Sequence, residues 1–543
     1  MAPALRLAPS TEVAAVTDDT IGGLLRRAAA TAPDAVALVD GVADPAARAR
    51  WTYAALLHRA ERIAHGLVAR FAPGERLAVW APTAPESLVL TYASGLAGLV
   101  LVPVNPALRA GEVAHVLGQS GAAGIALVDE HRGHDLAGTL ASVRADLPDL
   151  RETFALASID DLAPSDPTGA LPTVLADDVA QIVYTSGTTG RPKGARLTHR
   201  GMTNAARFGA RRFGMTRGDV YVDPLPLFHV GGQVVAFEIA HQCATYVLVR
   251  AFDPALVLDL LESEQATLTV GVPTMLVAML AEPDVAARDL TRLRSVSSGG
   301  AVVPAELVRR VRRDLGASVT IVFGQTECCG FVAQTHLDDD PDVIEATLGP
   351  PIDGIDVRVV DPLTGDVVET DVVGELEVRG YNVMAGYHED ADATAAVLHD
   401  GWLRTGDLVS LDAAGYLRIV GRCKDVIVSG GVNVAAAEVE AAIAAHPSVA
   451  EVAVFGVPDE RWGERVVAAV RFHPRSAAGD AADDGIDAVA DDLATRLAPY
   501  KVPKQWMVVT DPFPLTASGK VQKFLVRDRL GAPSPPAGAV GGT

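Results

Sequence analysis

Short aliphatic runs bounded by glycine or proline recur along the first 180 or so residues. RLAVWA (76–81), LVLVPV (99–104) and AGIALVD (123–129) are apolar at nearly every position, as strands buried on both faces of a parallel sheet are. Between such runs, YAALLHRAERIAHGLVAR (53–70) places apolar residues at helical intervals, so the pattern predicts βαβ units. The rhythm continues with ATYVLVR (244–250) as strand, PALVLDLLESEQ (254–265) as helix and ATLTVGV (266–272) as strand. PAELVRRVRRDLG (304–316) and SVTIVFG (318–324) add another helix and strand. After Gly349 the texture changes: DVRVVDPLTGDVVE (356–369) and GELEVRG (374–380) alternate apolar and polar positions, as antiparallel strands with one wet face do. A second change falls near Gly421, after which 438–446, 451–457 and 464–474 read as a small α+β unit. Within 474–492 the front reads as a solvated loop and the back, DAVADDLATRLA, as a helix; the tail 531–543 has nothing to pack and is expected to be disordered.

Composition narrows the class. With 49% hydrophobic and 21% charged residues, 50 Gly and 34 Pro in 543, the chain is globular rather than disordered, collagenous or a coiled coil. The net charge of −22 excludes a general binder of nucleic acid or anionic membrane, though not a local basic pocket. Cys243, Cys328, Cys329 and Cys423 are too few for a disulfide framework and lack metal-ligand spacing. The N-terminal MAPALRLAPSTEVAAV has no unbroken apolar core, and the most apolar run, Leu96 to Val104, is far shorter than the ~20 residues of a membrane span. The expectation is a reducing, cytoplasmic setting without integral membrane association.

Five motifs carry chemistry. Tyr184-Thr-Ser-Gly-Thr-Thr-Gly-Arg-Pro-Lys-Gly194 leaves the apolar run AQIV (180–183), so a loop dense in Gly, Ser and Thr offers backbone N–H groups and hydroxyls to a polyphosphate. It is not the Walker loop, because Arg191-Pro192 separates Gly190 from Lys193. The plainer alternative is a surface turn. Phe323-Gly-Gln-Thr-Glu327 follows a strand, where open α/β sheets bind ligands; Thr326 can bond a phosphate oxygen and Glu327 can hold Mg²⁺, against the alternative of a helix cap. Trp402-Leu-Arg-Thr-Gly-Asp407 predicts an Asp in a turn after a strand, able to accept a ribose diol or simply to close an Asx-turn. Gly415 to Asp425 supplies Arg422, a ribose or phosphate contact or a surface ion pair, and Ser429-Gly-Gly-Val-Asn433 follows it. Pro514-Leu-Thr-Ala-Ser-Gly-Lys520 puts a Lys on a Gly-containing turn, where it can reach a phosphate or stay solvated.

Together these motifs resemble the adenylate-forming superfamily of acyl-CoA synthetases, carrier-protein adenylation domains and luciferases, over residues 20 to 530. PLFHVGG (226–232) resembles its substrate-side His motif and SGGAVV (298–303) its adenine-contacting segment. GYHEDADAT (386–394), GVPDERWGERVV (456–467) and LAPYKVPK (497–504) are most similar to stand-alone AMP-forming acyl-CoA ligases. The resemblance implies an α/β fold. A large N-terminal body (1–421) of βαβ-type subdomains with a small β-barrel-like part would be joined by a hinge (422–425) to a small mobile α+β domain (426–530). It implies that Thr185, Ser186, Gly187, Thr188, Thr189, Gly190 and Lys193 embrace the β- and γ-phosphates of ATP, and that Gly300 and Ala301 line the adenine slot. Gln325 would join the nucleotide contacts, Thr326 would touch the α-phosphate, and Glu327 would ligate Mg²⁺. Asp407, assisted by Arg422, would bind the ribose; Lys520 would bridge carboxylate and α-phosphate; Lys424 marks the hinge; Gly430 and Gly431 would let the pantetheine arm of CoA pass. His229 would gate or line the acyl and thiol channel, against the plainer alternative of a satisfied buried His.

The chemistry supports that scheme. A carboxylate is a poor electrophile, and its attack on the α-phosphorus of ATP makes an acyl adenylate whose AMP is a good leaving group for a thiol. Such a step crowds anions and needs cations: Mg²⁺, Lys520 and Lys193. No protein nucleophile is required, so Cys328 and Cys329 are expected to be small wall residues. Three positions depart from the family's pattern: Ala436 in place of a Pro, Gly231 where hydroxycinnamate ligases carry a Tyr, and the Cys328-Cys329 pair. The segments 229–237, 298–303 and 323–332, rich in small apolar residues and without Asp or Arg, predict a fatty or aryl acid with an uncharged tail. Two other readings are transfer to a carrier protein's phosphopantetheine or another nucleophile, which the acidic surface disfavours for an acidic carrier, and a non-catalytic nucleotide-binding homologue.

Overall fold

A computed structural model describes residues 15–165, 169–185, 192–429, 432–459, 462–473, 482–514 and 521–529. They form two compact units. The larger comprises the described residues up to Val357 together with Val378–Leu403; the smaller comprises Arg358–Glu377 and the described residues from Arg404 onward.

The aliphatic runs become two mostly parallel sheets in the larger unit. One has eight strands in the order Ala333–Gln334, Ser318–Phe323, Ser295–Gly299, Leu268–Val270, Val220–Asp223, Thr245–Leu248, Val36–Asp40 and Arg50–Thr52. Its six inner strands are parallel and its two outermost are antiparallel. The other has six strands, Lys193–Thr198, Val179–Thr185, Val100–Val104, Arg76–Trp80, Ala122–Leu127 and Glu152–Ala155; only Lys193–Thr198 runs antiparallel. Burial on both faces explains why these runs lack alternation.

The helices are written locally. Tyr53–Val68 begins at Thr52, whose side chain accepts from the Ala55 N–H. It buries Leu56, Ala60, Ile63, Ala64 and Leu67, which share one face at a 3.6-residue period. Each such leucine is worth ~1.5–3 kcal/mol of burial, so Leu67→Ala would cost ~2–5 kcal/mol through the lost contacts and the cavity. Pro85–Ala97 is buried almost all round and stops at Gly98, whose φ of +68° is the left-handed cap conformation.

The boundaries between the units fall inside the strands Ile355–Val360, Gly374–Gly380 and Trp402–Leu411. Beyond them the smaller unit pairs Trp402–Leu411 with Leu417–Arg422 and then builds a second sheet in the order Val432–Ala435, Val426–Ser429, Gly463–Phe472, Val449–Asp459, with Gln505–Val508 parallel to Gly463–Phe472. The long hairpin of that sheet is apolar on both faces. Val454, Val466, Ala468 and Val470 pack with Val439, Ile443 and Leu493; Ala453, Phe455, Val457 and Val467 pack with Phe513 and Val526. Among the described residues no helix is long and apolar enough to cross a membrane. The tail 531–543 lies outside them.

Candidate functional site

In the larger unit, the strand Val179–Thr185 carries the start of the phosphate-loop motif and Lys193–Thr198 returns beside it, with Lys193 opposite Thr185. The first and last candidate groups of the motif therefore meet across one rung of the ladder. Ser186, Gly187, Thr188, Thr189 and Gly190 lie outside the described residues.

The Lys193 ammonium sits 5.2 Å from the centre of the Tyr387 ring, in cation–π range. Tyr387 in turn donates its hydroxyl to Glu327 Oε1 at 2.8 Å. Burial first, and the neighbouring Glu327 charge second, hold this phenol well above its usual pKa, so it stays a donor. Backbone bonds fix the arrangement: Met384 N–H to Glu327 O (2.9 Å), Ala385 N–H to Arg196 O (2.9 Å), Arg196 N–H to Gly386 O (3.0 Å) and His388 N–H to Gly194 O (2.7 Å). Gly386 takes a φ of +115°, where a side chain would be strained and its Cβ would lie 3.0 Å from an Arg196 guanidinium nitrogen. Tyr387 lies in GYHEDADAT (386–394), and the motif reading gives it no role of its own.

The remaining candidates of this unit project from the carboxyl ends of parallel strands of the eight-stranded sheet, where open α/β sheets place ligands. Gly299 is paired with Val322, so Gly300 and Ala301 follow beside Phe323; both are exposed. Gln325 caps a short 3₁₀ turn, Thr326–Cys328, and its carbonyl accepts the N–H groups of Cys328 and Gly330, each at 3.0 Å. Thr326 is 8% exposed. Backbone meets backbone closely here: a Cβ on Gly299 would lie 2.1 Å from the Val322 carbonyl oxygen, and one on Gly324 would lie 2.1 Å from that of Gly330.

His229 is half-buried and precedes the helix Val230–Gln242; its N–H donates to Pro226 O at 3.0 Å. Of the small apolar residues in the predicted acyl segments, Val230, Val235 and Cys328 are buried and Ala301 is exposed. Two polar groups on the same helix escaped the sequence reading. Gln233 is 2% exposed, and Glu238, one residue beyond the predicted wall, is 3% exposed. Burial, reinforced by Asp223, pushes the Glu238 carboxyl well up, which favours its neutral form. Burial likewise raises Cys329, so its thiol is not a nucleophilic thiolate.

In the smaller unit the predicted turn at Asp407 is corrected. Asp407 lies inside the strand Trp402–Leu411, directly opposite Arg422. Arg422 Nε donates to Asp407 Oδ1 at 2.7 Å, and Asp407 is 3% exposed. Next to them burial pushes the Cys423 thiol up to about 12, with Glu375 and Asp407 adding to the shift. Lys424 lies in the 3₁₀ turn Cys423–Asp425. The strands Val426–Ser429 and Val432–Ala435 pair with Ser429 opposite Val432; Gly430, Gly431 and Lys520 lie outside the described residues.

Among the described residues no group of three or more His, Cys, Asp or Glu could enclose a metal ion. One carboxylate, Glu327, suits Mg²⁺, which keeps waters and shares phosphate oxygens instead of needing a protein cage. The arrangement in the larger unit thus offers a cation, a carboxylate held at one oxygen, and backbone turns at the carboxyl ends of parallel strands, a set suited to a nucleotide phosphate.

Comparison with known proteins gives the same picture. A family profile described as AMP-binding enzyme matches residues 25–388, and one described as AMP-binding enzyme C-terminal domain matches 438–520. A feruloyl-CoA synthase of Amycolatopsis sp is 40% identical over 484 residues, 88% of this chain and 94% of that protein. A mitochondrial medium-chain acyl-CoA ligase of Danio rerio is 32% identical over 543 residues, 92% and 86% of the two chains. The ATP-bound crystal structure of MatB from Rhodopseudomonas palustris superposes with a TM-score of 0.83 at 31% identity, covering 94% of this chain and 98% of that one.

Proposed function

The chain belongs to the AMP-binding enzyme family, and on that premise we propose which of its residues carry the chemistry. It is an AMP-forming acid–thiol ligase: a carboxylate oxygen attacks the α-phosphorus of ATP, pyrophosphate leaves, and the CoA thiol then displaces AMP from the acyl adenylate. The observation that supports our residue assignment is the Lys193–Tyr387–Glu327 chain beside the Thr185–Lys193 rung.

Thr185 to Gly190 and Lys193 bind the β- and γ-phosphates. Gln325 shapes the turn that presents Thr326 to the α-phosphate, and Gly300 and Ala301 flank the adenine. Glu327, oriented by the Tyr387 hydroxyl, would hold Mg²⁺, which would neutralise charge on the phosphates during transfer. Asp407, its Oδ1 fixed by Arg422, accepts the ribose hydroxyls. Lys520 bridges the carboxylate and the α-phosphate, His229 borders the acid and thiol, and Gly430 and Gly431 make room for the pantetheine. We read 1–421 as the N-terminal part, 422–425 as a hinge around Lys424, and 426–530 as a mobile part; the gap between the two family profiles, 388 to 438, supports that division. The buried apolar wall and the feruloyl and medium-chain specificities in the relatives' names support an aryl or fatty acid with an uncharged tail. The free thiols support a reducing, cytoplasmic location.

The test is acid-dependent exchange of pyrophosphate into ATP across a panel of carboxylic acids with Mg²⁺, followed by addition of CoA. Exchange with an uncharged acid and a CoA thioester are expected; no exchange with any acid overturns the reading. Lys520→Ala should abolish exchange yet spare thioester formation from a pre-formed acyl adenylate, and equal loss of both steps would remove Lys520 from its role.

A further inference from the structure

Between the strand that leads into the phosphate-loop motif and the turn that carries His229 lies a buried amide pair. Gln233 donates Nε2 to the carbonyl of Leu227 at 2.5 Å. That carbonyl can only accept, which fixes the orientation of the Gln233 amide and points its Oε1 the other way. There Gln181 Nε2 donates to it at 3.3 Å. Gln181 is fully buried on Val179–Thr185, four residues before Thr185. Leu227 is held on its other group as well, its N–H donating to Thr83 Oγ1 at 3.0 Å. Asp223 Oδ1 accepts from the Leu225 N–H at 2.8 Å and fixes the start of the same turn.

Packing does not seat this turn alone. Leu227, Phe228 and Gln233 border Val79, Pro82 and Leu101 around a crevice with room for little more than a water, and those contacts are non-directional. The hydrogen bonds are the directional restraint.

We propose that Gln233 is a positioning residue that ties the His229 turn to the strand bearing Thr185, so that the acid side and the ATP side of the site share one frame. The proposal rests on the assignment of His229 to the acid and of the Thr185 loop to the phosphates.

The Gln233→Leu change leaves the Leu227 carbonyl and the Gln181 amide without their buried partner. The Gln233→Glu change is a sharper probe. When protonated, its carboxyl can donate to Leu227 and accept from Gln181; when ionised, it cannot donate and sets a negative charge against the carbonyl. Burial raises its pKa into an accessible range.

The measurement is pyrophosphate exchange, with KM for the acid and for ATP read separately across pH. Gln233→Leu is expected to raise the acid KM by about tenfold or more while the ATP KM moves by no more than about twofold, since one tenfold step corresponds to a modest loss of buried bonding. Gln233→Glu is expected to match the native acid KM near pH 6 and to lose roughly fivefold by pH 8.5, read as the difference from the native chain, which carries the same Asp223, Glu238 and His229. Gln181→Leu, which removes only one of the two bonds of Gln233, is expected to raise the acid KM by a smaller factor than Gln233→Leu does. Native KM values in every variant, or a Gln233→Glu defect equal at all pH, overturn the proposal. Should Gln233→Leu fail to fold, the other two variants carry the test. Absence of exchange by the native chain would instead remove the functional reading beneath the proposal, and the proposal with it.

Discussion

Glu327 and Asp407 are both acids assigned to the nucleotide, yet the fold treats them differently. Glu327 accepts a neutral phenol, and the nearby Lys193 lies over that phenol's ring; among the described residues no Lys or Arg forms an ion pair with the carboxylate itself. Asp407 is buried and bonded directly to a guanidinium. Glu327, to which we assign Mg²⁺, is partly exposed and held at one oxygen by a phenol, whereas Asp407, to which we assign the ribose, is buried against a guanidinium. Asp223 is a third case. It is fully buried with a phenol, Tyr246, at 3.0 Å, and burial pushes it up to about 7. Asp223 and Glu327 thus share a phenol partner but differ in burial, Asp223 being fully buried and Glu327 partly exposed.

The contrast can be broken in four ways. Glu327→Gln preserves shape and removes charge; pyrophosphate exchange should fall ~10²–10³-fold with little change in melting temperature, as for other groups that stabilise developing charge. A fall under tenfold would mean the charge is dispensable. Arg422→Ala should act on both fold and ligand, because it removes the guanidinium bonded to a buried carboxylate: ATP KM up about tenfold and a lower melting temperature. A change in KM alone would show that Asp407 needs no neutralisation.

The third test concerns pH. Between roughly pH 4 and 7 folded Asp223 keeps a proton that the unfolded chain has lost, so its contribution to stability falls as pH rises through that window and is constant above it. Asp223→Asn should remove that slope, its melting temperature dropping from pH 5 to 7.5 by about 2–4 °C less than the native protein's; parallel curves would place the titration elsewhere. The smallest effect belongs to Tyr387→Phe, which frees Glu327 but keeps the ring under Lys193. Exchange should fall about three- to tenfold, consistent with the loss of one ordinary hydrogen bond; a loss as large as that of Glu327→Gln would mean the phenol is part of the chemistry.

Much of this architecture could be read in advance because its strands are buried on both faces. RLAVWA, LVLVPV and SVTIVFG announce themselves without reference to anything distant, and Arg76–Trp80, Val100–Val104 and Ser318–Phe323 are strands as expected. Asp407 was misplaced because Arg-Thr-Gly-Asp looks like a turn locally; the strand instead absorbs Gly406 at a φ of +72° and shifts register between Leu408 and Val409. Tyr387 could not be read because its value comes from residues 384–388 laying themselves along 194–196, nearly two hundred positions earlier. The local signal was its place in GYHEDADAT (386–394), which marks the segment but gives this residue no role. Gln233 carries no local signal, since its meaning depends on Leu227 and Gln181 together.

The close approaches at Gly299 and Gly324 carry a consequence for how this protein can vary. Neither residue has a side chain to offer a ligand, yet even alanine has no room at either place. A saturation survey of the chain should therefore show deep intolerance at both, beside tolerant neighbours such as the exposed Arg292. That signature reflects fit between two stretches of main chain, and anyone ranking positions by mutational sensitivity would mistake it for chemistry.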